Sequence, residues 1–266
     1  MPLSPLFARY DNVLLDLDGC VWVGGTATRG APEAIAEIRA AGKGVAFITN
    51  DSRRSPEEFV RKLWSLGIRA SLEEVVSAGA AVQYMLAERG SGARTFVIGS
   101  RAMFRHVSES GQRIVNRTIR AEDAELVVVA GHEDFDFREL RTATRALLGG
   151  AEMIAADRDR TFPGDDGVCP GTGAIVAALE FATGRTARLV GKPEPGVFHT
   201  ALERVGPGAA LVIGDRLDAD LAGAAGVGLD AAIVLTGVTS EGEARAAREP
   251  SPVAIATDLH SLVMAS

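Results

Sequence analysis

Residues Leu14–Gly24 read LLDLDGCVWVG and set Asp16 and Asp18 at the end of an apolar run. The residues just before them, NVLL from Asn12, have the length and composition of a buried strand. Two carboxylates two residues apart repel each other at such a strand end, and burial raises the cost of their charge. A cation would offset that cost, and hard Mg²⁺ takes oxygen ligands of this kind. The stretch therefore marks a site as well as a strand.

Outward from it, strand-like and helical runs alternate. Helical APEAIAEIRAAG closes at Gly42, strand-like GVAFITN follows, and Ser55 with Pro56 opens helical SPEEFVRKLWSLG. LEEVVSAGAAVQYMLAERG is helical around a short strand that the pattern does not place. RTFVIGS, AELVVVAGH and AEMIAA are three more strand-like runs, separated by helical SRAMFRHVSESG and DFRELRTATRALLGG. After helical GTGAIVAALEFATG come strand-like ARLVGKP, AALVIGD and LDAAIVLTG, with PGVFHTALERVG and DADLAGAAG as helices. Continuous apolar strands alternating with helices predict an α/β fold whose parallel sheet is covered on both faces.

Bulk properties narrow the function. With 266 residues, 47% hydrophobic and 24% charged, the chain has core enough for one large α/β domain or two smaller ones. A net charge of -7 argues against a nucleic-acid footprint. Cys20 and Cys169 are the two cysteines, so a reducing cytoplasm is expected rather than a disulfide framework. MPLSPLFARYDN puts no long apolar run behind a basic start, and no stretch approaches a membrane span, so neither signal peptide nor membrane partner is expected.

Parallel sheets bind ligands at the carboxyl ends of their strands. Asp16 and Asp18 stand at one such end, Thr49 and Asn50 at the next, Lys192 and Asp215 at two later ones. The chemistry that wants this set is phosphoryl transfer through a carboxylate. With a metal neutralising charge, one aspartate attacks phosphorus and the other serves as general acid, then base. Thr49, the amides near Asn50 and the compact charge of Lys192 suit phosphate oxygens. Lys43, Lys62 and Lys192 are the only lysines, which makes the one in GKPEP more informative.

DLDGCVWVG, FITNDSRR, GKPEPGVF and IGDRLDADLAGA resemble the four ordered motifs of the haloacid dehalogenase (HAD) superfamily. The likeness spans nearly the whole chain, including PGTGAIVAALEFATG and VLTGVTS. It is nearest to subclass IIA: NagD-type nucleotidases and the nitrophenyl-phosphate, phosphoglycolate, glycerol-phosphate and pyridoxal-phosphate phosphatases. The resemblance implies an α/β fold with a Rossmann-like core, residues 1–87 plus 187–266, and an inserted α/β cap of the C2 type, residues 88–186. It implies a Mg²⁺-dependent phosphomonoesterase working through an aspartyl-phosphate, with Asp16 as nucleophile and Asp18 as acid/base. Mg²⁺ would be held by the Asp16 carboxylate, the Asp18 carbonyl and Asp215, with Asp220 supporting the metal site from behind. Thr49, Asn50 and Lys192 would hold phosphate. The partner is then a small phosphomonoester, and the cap is expected to support a homodimer. One departure stands at Asp51, where the family often has asparagine; an acid there opposes anion binding unless it meets Arg53 or Arg54.

The acid-rich segment AADRDRTFPGDDGV, with Asp157, Asp159, Asp165 and Asp166 among Arg158 and Arg160, suits a hydroxyl-bearing leaving group. Glycerol phosphate, phosphoglycolate or a sugar phosphate is therefore the expected substrate, with nucleotides and pyridoxal phosphate as the alternative. A phospho-accepting signalling module is the non-enzymatic alternative, but it has no use for the acid at Asp18. Gly171 and Gly173 lack the third glycine of a dinucleotide fingerprint and read as helix-start packing. Cys20 reads as a packed residue, His106 and His199 as non-chemical, and His132 as either a cleft residue or one bonded within its own turn.

Overall fold

The computed structural model of the chain describes residues 3–164 and 167–265. Strand β1 (Asn12–Asp16) is buried along its whole length, as a strand covered on both faces must be. A small antiparallel pair, β2 (Trp22–Val23) and β3 (Thr26–Ala27), follows the aspartate turn. Helix α1 (Ala31–Ala40) starts after Gly30, whose φ of 66° suits glycine, and buries Ala31, Ala34, Ile35 and Ile38. That spacing is the apolar stripe of an amphipathic helix. Strand β4 (Gly44–Thr49) is followed by α2 (Pro56–Ser65), which begins on a proline, and by β5 (Val75–Ser77).

Next come α3 (Ala78–Arg89), β6 (Arg94–Ile98), α4 (Arg101–Glu109), β7 (Arg113–Ile114) and β8 (Leu126–Val129). Helix α5 (Phe137–Leu148) leads to β9 (Glu152–Ala155), the hairpin β10 (Thr161–Gly164) and β11 (Gly167–Pro170), α6 (Thr172–Thr183) and β12 (Arg188–Leu189). The chain closes with α7 (Pro195–Val205), β13 (Ala210–Gly214), a π-helical turn running into α8 (Ala222–Gly226), β14 (Asp230–Val234), α9 (Glu241–Ala246), β15 (Ala254–Ala256) and α10 (Leu259–Val263). Among the described residues no helix is long and apolar enough to cross a membrane.

Two compact units result. The first is Met1–Thr49, Pro56–Val76 and Lys192–Ser266; the second is Asn50–Ser55 and Ser77–Gly191. The sheet of the first runs β15-β14-β13-β1-β4-β5, which in its own chain order is 3-2-1-4-5-6 read from the other edge. Its switch point falls between β1 and β13, which are in parallel register from Asn12↔Ala210 to Leu15↔Ile213.

The sheet of the second unit runs β12-β9-β8-β6-β7, or 2-1-3-4-5 in its own chain order from the β7 edge. Its continuous apolar strands feed two cores. Phe96, Ile98, Val127 and Val129 pack with Ala143, Leu147 and Val176 of α5 and α6, while Val97, Leu126 and Val128 pack with residues of α3 and α4. That alternation is the two-residue period of a strand. Helix α3 buries Ala78, Val82 and Leu86 in this second core, beside Met103 and Val107 of α4. It therefore packs in the second unit, although the sequence pattern groups residues 78–87 with the first. Helical periodicity fixes which face is buried but not which sheet buries it.

Candidate active site

The switch point of the first sheet gathers the acids. Asp16 ends β1, Asp215 follows β13, and Asp220 sits in the π-helical turn after it; their carboxylate oxygens lie within 4.8 Å of one another. Lys192 reaches in from the loop before α7 and donates to Asp16 Oδ1 at 2.5 Å and Asp220 Oδ1 at 2.6 Å. Asp220 Oδ2 also accepts from the Arg216 N–H at 3.1 Å. Its side chain thus ties lysine and turn together. Asp215 Oδ2 accepts from the Val238 N–H at 2.6 Å. Asp18 Oδ1 accepts from Trp22 Nε1 at 2.9 Å, which orients the second aspartate of the turn.

Glycines let these groups approach. A side chain on Gly19, at φ 94°, would come within 2.6 Å of the Asp215 carboxylate, and one on Gly237 would run into the same group. Thr236 Oγ1 donates to the Gly19 carbonyl at 2.5 Å, pinning the loop after β14 to the aspartate turn.

Burial dominates the electrostatics. It pushes the Asp16 carboxyl well above its ordinary range; Lys192 pulls it back, and Asp220 and Asp215 push it further up. Asp215 is likewise raised, to about 7, first by burial and then by Asp220. Burial alone would lower the Lys192 pKa, but Asp16 and Asp220 together raise it. Asp16 Oδ2 and Asp215 Oδ1 are buried and accept no hydrogen bond. Three converging carboxylates, one lysine and two bare oxygens fit a hard divalent cation, whose ligands are oxygens.

Thr49 ends β4 next to β1 and is buried. Asn50, the next residue, opens the segment that belongs to the second unit, where its Nδ2 donates to Asp159 Oδ1 at 3.3 Å. Asp51 meets both Arg53, at 2.9 Å, and Arg54. Burial alone would raise its pKa, but the two guanidiniums hold it below the ordinary carboxylate value. Arg53 also lies 3.9 Å over the Phe162 ring, and Ser52 Oγ accepts from the Gly131 N–H at 3.2 Å.

Most of the other residues singled out from the sequence are packed or paired locally. Cys20 is fully buried, and burial pushes its thiol far from reactivity. His132 Nε2 lies 3.2 Å from Glu139, and a ring nitrogen of the buried His106 lies 2.6 Å from Gln83 Oε1. Gly171 and Gly173 let the start of α6 pack against the Arg158–Asp159 backbone, where any side chain would collide. In the acid-rich segment, Asp157 accepts from Thr172 at 2.7 Å and Arg158 pairs with Glu180 at 2.5 Å. Asp165 and Asp166 lie outside the described residues.

Sequence reasoning gave no role to Trp22 or to the loop Thr236–Val238. The loop carried a signal, VLTG at a strand end, but its contribution to Asp215 is a backbone N–H, which any residue supplies.

Comparison with known proteins gives the family. Residues 13–113 match the haloacid dehalogenase-like hydrolases and residues 189–262 the HAD-hydrolase-like family. The D-glycerol 3-phosphate phosphatase of Mycobacterium tuberculosis is 39% identical over 263 residues, covering 98% of this chain and 73% of that protein. The acid sugar phosphatase of Staphylococcus aureus is 31% identical, covering 87% of this chain and 89% of that one. A crystal structure of the Mycobacterium tuberculosis glycerol phosphate phosphatase in complex with magnesium superposes with a TM-score of 0.85 at 37% identity, over 96% of this chain and 77% of that one. The chain belongs to the haloacid dehalogenase-like hydrolases and is a phosphatase of that family.

Proposed function

We propose that this phosphatase hydrolyses a small polyol or sugar phosphate through an aspartyl-phosphate on Asp16. The observation that carries the reading is the state of Asp16: one oxygen is held by Lys192, the other is buried and bare, and the carboxylate converges with those of Asp215 and Asp220. Asp16, Asp215 and the Asp18 carbonyl would hold Mg²⁺, as the magnesium complex of the Mycobacterium tuberculosis relative supports. When bound, the ion neutralises the carboxylates and the incoming phosphate.

Asp16 forms the bond to phosphorus as the bond to the leaving alkoxide breaks, and Asp18 gives that alkoxide its proton. Asp18 then takes a proton from water, which attacks the acyl phosphate and frees Asp16 and inorganic phosphate. Thr49, Asn50 and Lys192 hold the phosphoryl oxygens. Asp220 keeps Lys192 aimed at Asp16. By its place in the chain the second unit is the inserted cap of the family.

The substrate class rests on the relatives. They are named a D-glycerol 3-phosphate phosphatase and an acid sugar phosphatase, which supports a small polyol or sugar phosphate here. A panel of about 30 phosphomonoesters scored by phosphate release tests the reading, since specificity is a ratio of kcat/KM values. Glycerol phosphate or a sugar phosphate should lead, with activity lost in EDTA and restored by Mg²⁺. A nucleotide or pyridoxal phosphate leading by about tenfold would overturn the substrate class, and full activity in EDTA would overturn the metal.

A further inference from the structure

We infer that the second unit carries its own binding site for a nucleotide-like organic phosphate, in the cleft at the switch point of its sheet. The topology comes first. Strand β6 pairs with β7 on one side and β8 on the other, so the chain moves to one edge and then crosses back. Open parallel sheets bind ligands in the crevice beyond the carboxyl ends of the two strands at such a reversal. A cleft of about 1340 Å³ lies there, lined by Gly99 after β6, His132 after β8 and the loop that follows β7. That volume admits a ligand larger than a bare phosphate.

The chemistry of the lining points to an anion. Arg101, Arg117, Arg138 and Arg141 all face the cleft, and among the described residues no ion pair or side-chain hydrogen bond engages their guanidiniums. The acids of the same cleft are mostly committed. Glu122 pairs with Arg145 at 2.6 Å, and Glu139 with His132 at 3.2 Å. Asp136 accepts from the N–H groups of Arg138 and Glu139 at the start of α5. Asp134 is the remaining acid. The lining also offers Phe104 and Ile119, the latter 99% exposed, as an apolar surface for a flat ring.

Arg117 adds an independent sign. It is the one non-glycine residue with positive φ, 58°, among the described residues. A left-handed conformation disfavours any side chain with a Cβ, and such residues persist where the surroundings over-determine them. Asn116 does so here. Its amide donates to the Val97 carbonyl at 2.8 Å and accepts from the Val97 N–H at 2.9 Å, bolting the loop to β6 and turning the chain at Arg117 over the cleft. Glycine would meet that backbone demand without strain, yet an arginine stands there.

The test is a fluorescence titration of the full chain with N-methylanthraniloyl-ADP, in Mg²⁺ and saturating orthovanadate to fill the catalytic pocket. Saturable binding is expected, displaced by ADP and not by glycerol 3-phosphate. Arg117→Gly and Arg138→Ala should each weaken it about tenfold, as loss of one charged hydrogen bond does. Phosphatase turnover should be unchanged in both, and the Tm of Arg117→Gly equal or higher. The proposal is overturned by absence of saturable binding, by displacement with glycerol 3-phosphate, by competition from inorganic phosphate but not ADP, or by unchanged affinity in both variants.

Discussion

In the first unit the carboxyl ends of the sheet carry Asp16, Thr49 and Asp215, all buried. In the second they lead to Ser100, His132 and Asp157, and the arginines around the switch point stay in solvent. Both sheets are parallel, both are covered by helices on two faces, and both reverse direction beside their first strand. The difference lies in where charge is buried and what balances it. The first unit buries three carboxylates against one lysine and leaves two oxygens bare. The second buries Asp157 and satisfies both of its oxygens, from Thr172 and from the Asp159 N–H. Buried carboxyl groups left incomplete mark a reaction centre; a buried carboxyl satisfied locally serves structure.

Replacing Asp16 strikes that contrast hardest. With the proposed roles, Asp16→Asn should abolish p-nitrophenyl phosphate hydrolysis to background, because an amide does not attack phosphorus. Asp18→Asn keeps the nucleophile and should lose about 10²–10⁴-fold in kcat, the usual worth of general acid–base catalysis. Near-native turnover in Asp16→Asn would erase the distinction between the two sheets.

Lys192→Met probes stability on the same side of the comparison. It leaves Asp16 and Asp220 buried without their shared cation. Removing one partner of a buried ion pair costs about 3–5 kcal/mol. Urea unfolding should show a loss of that order. A loss below about 1 kcal/mol would mean that the carboxylates are already neutral or reached by water.

Much of this was legible in the sequence because strand ends are legible. An apolar run that stops at Asp16, Thr49 or Asp215 states both its direction and its terminal side chain. Other features leave no such mark. Strand β5 is three residues long, wedged between the turn capped by Ser71 and Glu74 and the cap of α3 at Ser77, so its valines read as part of a helix. The tie between Lys192 and Asp220 spans 28 residues and depends on a π-helical turn, which no periodicity announces. The Val238 N–H on Asp215 has no residue signature at all. Asp51 lies between these cases: the sequence named Arg53 and Arg54 as its possible partners, and both meet it.

The smallest expected effect sharpens the other half of the comparison. Burial raises the Asp157 carboxyl to about 8, the charge on Asp159 adds to the shift, and the hydrogen bond from Thr172 and the Asp159 N–H pull against it. A carboxyl with a raised folded pKa imposes no penalty below the ordinary carboxylate value of 3.8. Above that value the unfolded chain gives up its proton while the folded chain keeps it, so stability falls until about pH 8. Asp157→Asn preserves an acceptor oxygen for one of those bonds and has no proton to release. Wild-type stability relative to the variant should therefore decline by about 3–4 kcal/mol from pH 5 to pH 8, read by urea unfolding at each pH. A difference that stays flat across that range would mean that Asp157 is charged in the folded chain, and the second unit would then also bury a carboxylate as an anion.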